Sequence, residues 1–151
     1  MAFKAGLQAW RYYRTMTNIN LAESYLIKAV KRLKILDVLF HEDDYSDVVR
    51  EAQEIVELAQ KAMLRQIGID PPKWQDVGSI ILEHREKFPE AIRNELPALA
   101  DISRWLRAER ELAFYGDVDF IPTEEYTAED ALKAMDGAKK TVEAASRLIK
   151  A

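Results

Sequence analysis

The 151-residue chain predicts an all-α fold, an up-and-down antiparallel bundle of four long helices with an additional short helix. Three observations carry that expectation. Only five Gly and five Pro punctuate the chain. Apolar residues recur at steps of three and four through several long stretches, the signature of one buried helical stripe. No stretch alternates with period two for long enough to form a strand.

The first stripe runs from Asn18 to Phe40 through Ala22, Tyr25, Leu26, Ala29, Val30, Leu33 and Leu36. His41-Glu42-Asp43-Asp44 breaks it, and Asp44 or Ser46 can N-cap the second helix. That helix carries Val48, Ala52, Ile55, Ala59, Ala62 and Met63 and ends near Gly68, a residue suited to the left-handed position beyond a helix. Pro71-Pro72 then forbids continuation. A short helix is expected over about 76–87, with Val77, Ile80 and Ile81 inward and Phe88-Pro89 as its stop. Pro97 opens the next long helix, which runs to about Tyr115. Residues 116–123 read as a loop. The last helix covers about 127–149, opened by Thr127 with Asp130 three residues on, a capping-box variant. Its stripe is Met135, Ala138, Val142, Ala145 and Ile149. The chain therefore reads as one domain over residues 1–151, with 1–18 as an N-terminal extension and 19–150 as the bundle.

Composition excludes several classes of function. At 48% apolar residues the chain is too hydrophobic to be disordered. No apolar run approaches the roughly 20 residues that span a bilayer, and Lys4, Trp10, Arg11 and Arg14 do not form a signal-peptide core. A cytoplasmic protein without membrane attachment is expected. With no cysteine there is no disulfide framework, thiolate zinc site or cysteine nucleophile. The glycines at 6, 68, 78, 116 and 137 form no phosphate loop, and no serine lies in a Gly-x-Ser-x-Gly elbow. His41 and His84, the two histidines, have no helical His partner at i+4, so neither a metal nor any other cofactor is expected. His84 reads as an ordinary exposed helical residue.

Charge is unevenly distributed. The net −4 divides into +5 over residues 1–40 and −9 over the remainder. A net acidic chain is a poor general nucleic-acid binder, but a local basic face can still hold phosphate. Such a face is visible on the fourth long helix, where Arg104, Arg107 and Arg110 fan over about 120° of surface. Arg107 and Glu111 stand at i, i+4, and Tyr115-Gly116-Asp117 closes the helix beside the arginines. The row reads either as an anion-binding strip, since Arg grips phosphate in a bidentate fork, or as a solvated face laced with ion pairs. On the opposite side, Ile102, Trp105, Leu106, Leu112 and Ala113 centre on Glu109. A carboxylate there must be paired, protonated or wet, so Glu109 either lines a cleft or dimer groove or lies beyond the core.

The run Leu106-Arg107-Ala108-Glu109-Arg110-Glu111-Leu112-Ala113-Phe114-Tyr115-Gly116-Asp117 resembles the late-helix signature of the HEPN family (higher eukaryotes and prokaryotes nucleotide-binding), in its stand-alone prokaryotic form. Ala59 to Gly68 with Ile69-Asp70-Pro71-Pro72 is similar to the family's second helix and following turn. Lys73 to Gly78 falls where many relatives carry a His-Asp pair. Ile121-Pro122, Tyr126 and Glu129-Asp130-Ala131 match the approach to the last helix. The resemblance covers residues 19–150.

It implies a helical bundle, commonly a homodimer, that binds nucleotide or RNA and often acts with a minimal nucleotidyltransferase as a toxin–antitoxin pair. Active branches of the family are metal-independent endoribonucleases with an Arg-x4–6-His motif. Here Arg110 is followed by Tyr115 where that His belongs, and Gln75 stands in place of the earlier His. A tyrosine with a pKa near 10 is a poor general base at neutral pH. The expectation leans to a non-catalytic module binding its ligand through Arg104, Arg107, Arg110, Glu111, Tyr115 and Asp117. The alternatives are a ribonuclease toxin with a degenerate Arg-x4-Tyr motif and a purely structural interaction domain.

Overall fold

The computed structural model describes the backbone of residues 2–150 and the side chains of residues 6–149. The described chain is all-α. Four long helices, α1 (Ala2–His41), α2 (Tyr45–Gln66), α5 (Leu96–Phe114) and α7 (Ala128–Lys150), carry most of it. Between α2 and α5 lie α3 (Val77–Glu83), a 3-10 turn (Arg85–Lys87) and the single-turn α4 (Glu90–Arg93). A second single turn, α6 (Pro122–Glu125), precedes α7.

The middle of the fold is α2. It packs against α1, α5 and α7, and α3 also touches it. Its expected stripe of Val48, Ala52, Ile55, Ala59, Ala62 and Met63 is buried, but so are Val49, Val56 and Leu64 on other sides. Enclosure on several sides also takes polar groups inside. Gln60 is wholly buried, and its Nε2 donates to the Leu99 carbonyl at 3.0 Å. Glu51 accepts from Arg32 Nε of α1 at 2.7 Å.

Local chemistry sets the element ends. Asp43 takes a left-handed φ of 57°, which Asp tolerates better than most residues, and Tyr45 Oη donates to its carboxylate at 3.0 Å. Asp44 is the N-cap of α2 by backbone position, without a side-chain capping bond, and Ser46 lies buried inside the helix. At the other end Gly68 adopts φ +83°; its N–H reaches the Arg65 carbonyl and that of Ile69 reaches Leu64, the two bonds of a Schellman motif. Asp76 caps α3 through Gly78 N at 3.2 Å and accepts from Ser103 Oγ of α5 at 3.1 Å, so one carboxylate both starts α3 and ties it to α5. The capping box of α7 is reciprocal: Thr127 N donates to Asp130 Oδ2 at 2.9 Å, and Asp130 N to Thr127 Oγ1 at 3.2 Å.

Four expectations need correction. The first helix does not begin at Asn18 but extends back to Ala2. Forty residues at 1.5 Å rise give α1 about 60 Å against about 33 Å for α2, so its first third overhangs the bundle. Residues 6–17 are all exposed, which is why they show no stripe; their helicity propagates from the packed part. The short helix of 76–87 breaks at His84, which is its half-buried C-cap and not an exposed mid-helix residue. The loop over 116–123 is cut short by α6, with Pro122 in the first turn where its missing N–H costs no hydrogen bond. Val30 is exposed rather than part of the core.

Glu109 is half-buried and neither bare nor simply wet. It accepts a 2.7 Å hydrogen bond from Tyr126 Oη, and the Tyr126 ring packs edge-on against Phe120. Burial and the adjoining carboxylate hold the Tyr126 hydroxyl well above the ordinary tyrosine range, so it stays a donor. Tyr126→Phe should therefore lose roughly 1–2 kcal/mol in urea unfolding, because it leaves a partly desolvated carboxylate without its donor. Glu109→Gln, which keeps an acceptor and sheds the charge, should lose less. Equal stability of wild type and Tyr126→Phe would contradict this.

A second expectation concerns Asp47 in the first turn of α2. Burial, aided by a hydrogen bond and repulsion from Asp44, pushes its carboxyl up to about 6, with Arg50 opposing. The folded chain then binds a proton at higher pH than the unfolded chain. Asp47 accordingly subtracts stability above about pH 6 and ceases to do so below the unfolded value near 4. Asp47→Asn should raise the Tm at pH 7.5, and the gain should vanish by pH 4. A gain of the same size at both pH values would refute it.

Candidate functional site

The second half of α5, which carries the expected site, lies antiparallel to the first half of α2. Gln60 bonds Leu99, Glu54 meets Arg110 and Arg50 meets Phe114, a continuous register along the two helices. Beyond Phe114 the chain turns at Gly116, whose φ is +73°. A Cβ there would come within 2.4 Å of the Phe120 carbonyl oxygen and 2.7 Å of Pro122 Cδ, so no larger residue fits. The turn folds back through a backbone pairing of Asp117 with Phe120. This closure holds Tyr115 at the rim, 80% exposed, with its ring edge-on to Phe114 at 4.7 Å.

Each arginine of the row has a different partner. Arg104 lies 3.4 Å from Asp101 one turn back, and both are well exposed. Arg107 does not form the expected pair with Glu111. Its Nη2 donates instead to the Trp74 carbonyl at 2.9 Å, across to the link between α2 and α3. A carbonyl satisfies one donor but leaves the cation's charge uncompensated. Arg110 Nη2 lies 3.2 Å from Glu54 of α2, half in solvent. Glu111 is exposed. Asp117 is also exposed, but its Oδ1 accepts from Val118 N at 2.7 Å, so that oxygen serves the turn.

The row is thus three exposed guanidiniums on one face of α5, with Arg110 the one nearest in sequence to the turn that presents Tyr115. Neither histidine hydrogen-bonds to Arg110 or Tyr115. His41 Nδ1 lies 2.6 Å from the Asp37 carbonyl at the end of α1, and His84 caps α3. Among the described residues no group of three or more His, Cys, Asp or Glu side chains is arranged to hold a metal. No described helix is long and apolar enough to cross a membrane.

Several residues at this end were not expected. Arg50 places its guanidinium 4.1 Å from the Phe114 ring centroid, a cation–π contact that braces the base of Tyr115. Arg32, Glu51 and Glu54 form a neighbouring charge group in which Glu51 holds Arg32 more firmly in its charged form. The signal for Arg50 and Glu54 was their i, i+4 spacing on the polar side of α2. The Trp74 carbonyl carried no signal, because a backbone acceptor in a link has no residue type to betray it.

Residues 22–149 match the model of the HEPN domain. A curated protein of Methanocaldococcus jannaschii, named "Putative toxin MJ1304", is 27% identical over 139 residues, which cover 88% of this chain and 91% of that protein. The family match takes in α2 to α6, most of α7 and the packed part of α1, including every residue of the Arg-x4-Tyr segment, and the chain belongs to the HEPN domain family.

Proposed function

We propose that this chain is a non-catalytic HEPN module that binds nucleotide or RNA at the C-terminal end of α5. Arg104, Arg107 and Arg110 supply positive charge, and exposed Tyr115 offers a ring for a base to stack on. Glu111 and Asp117 border the strip; Asp117 shapes the turn that presents Tyr115. The observation that carries this reading is an exposed Arg110 followed, in the family's Arg-x4 spacing, by an exposed Tyr115 where the active branches carry histidine. Such a site can grip a phosphate. It lacks an imidazole to move the proton of an RNA 2′-hydroxyl near neutral pH.

The toxin-like name of the relative supports a toxin-like role; a minimal nucleotidyltransferase partner and a cytoplasmic location belong to the proposal through the family resemblance alone. A homodimer is part of the proposal. The awkward placement of Glu109 no longer speaks for it, since Tyr126 of the same chain satisfies that carboxylate. Support comes instead from exposed Met16, Ile27 and Val38, which lie near one outward line of α1. The competing reading, a metal-independent ribonuclease using Arg110 and Tyr115, has the relative's name in its favour.

Calorimetric titration with adenosine 5′-monophosphate and with a short oligoribonucleotide tests the site. Arg110→Ala should weaken binding roughly tenfold, as loss of a charge-assisted phosphate contact predicts. Tyr115→Ala should weaken oligonucleotide binding more than mononucleotide binding if a base stacks there. Unchanged affinity in Arg110→Ala would remove this site assignment.

A further inference from the structure

The overhang of α1 creates a second cationic feature far along the chain from the α5 row. Where α1 leaves the bundle it passes the C-terminal end of α2, and the two enclose a cleft of about 560 Å³. Trp10, Arg11 and Arg14 line it from α1, and Arg65, Gln66 and Gly68 from the end of α2. The same Trp10 and Arg14 border an adjoining hollow of about 380 Å³, closed on one side by Asp70.

Two features give this cleft a ligand chemistry. The first is charge. Arg11, Arg14 and Arg65 face a single carboxylate, Asp70, which already binds Arg14 Nη2 at 2.6 Å and Arg65 Nη1 at 3.1 Å. The balance of +2 matches a phosphate near neutral pH. Second, Trp10 is 55% exposed at the rim, with the Arg14 guanidinium 5.4 Å from its ring centroid. A flat ring sliding onto Trp10 would have a cation beside it and an indole face to cover.

Arg65 is also well held, its Nη1 donating to Asn18 Oδ1 at 2.8 Å as well as to Asp70, so its guanidinium is already oriented.

We infer that this cleft is a second binding site, for a nucleotide unit: a phosphate held by Arg11, Arg14 and Arg65, with its base against Trp10. The inference does not rest on the α5 row. An acidic peptide would meet the charge but would leave the Trp10 face unused. A free nucleotide and a nucleotide within an RNA strand present the same chemistry, and their relative affinities tell them apart.

The test is made in a background in which Arg104, Arg107, Arg110 and Tyr115 are all changed to Ala, so that the α5 row is removed, with adenosine 5′-monophosphate and an oligoadenylate of ten residues as probes. Both should bind, with a quenching of tryptophan fluorescence that persists in Trp74→Phe and is lost in Trp10→Leu. Arg14→Glu and Trp10→Leu should each weaken binding tenfold or more at unchanged helical circular dichroism, since both side chains lie outside the core. Tighter binding of the oligomer identifies a strand as the ligand, and equal binding per nucleotide identifies a free nucleotide. Binding that survives both substitutions, or no binding to either probe at millimolar concentration, overturns the inference. So does competition by hexaglutamate as strong as that by adenosine 5′-monophosphate.

Discussion

The hydrogen bond from the buried Gln60 side chain to the Leu99 carbonyl holds the key register of this molecule. Gln60 sits in the C-terminal third of α2 and is wholly buried, so its amide N–H must find a partner inside the protein. Taking it from the early part of α5 settles how that helix slides along α2. Everything downstream follows from that register at 1.5 Å per residue: Leu106 buries, Arg110 reaches Glu54 and Phe114 arrives under Arg50. The exposed end that carries Tyr115 is thus positioned from inside the core, about four turns away.

The same enclosure of α2 explains the division of labour among the other helices. Because α2 is covered by α1, α5 and α7, its charged residues collect where α1 and α5 leave openings. Glu51 answers Arg32 of α1, and Glu54 answers Arg110 of α5. These half-exposed pairs contribute little to stability, on the order of 1 kcal/mol or less. Their consequence is electrostatic: Glu54 sets the charge that an anion must displace to reach Arg110, whereas Arg104 and Arg107 stand more open. In an acidic chain, cations concentrated on one helix face and on the α1 overhang are where phosphate chemistry can occur.

How much of this was legible in the sequence depended on the range of each interaction. The Gly68 terminus, the Thr127–Asp130 capping box and the Gly116 turn are local, and each was readable from a few consecutive residues. The stripes of α2 and α7 were readable because burial imposes a helical period. Long-range partners were not. Glu109 could be recognised as misplaced, but Tyr126 is 17 residues away, and Arg107 finds a backbone carbonyl 33 residues back where Glu111 had been expected. The overhang of α1 escaped for the opposite reason. A helix exposed on all sides carries no periodic stripe, and only its lack of breakers between Gly6 and His41 marks it.

The central claim is that Arg110 and Tyr115 hold a phosphate without cleaving beside it. It is tested most directly by incubating wild-type protein with end-labelled single-stranded RNA in the presence of a metal chelator and following chain length on a gel. Intact RNA at high protein concentration is the predicted result, and Tyr115→His, which rebuilds the Arg-x4-His spacing, serves as the comparison in which cleavage can emerge. Cleavage by the wild type that disappears in Arg110→Ala would contradict the claim and make the chain a ribonuclease.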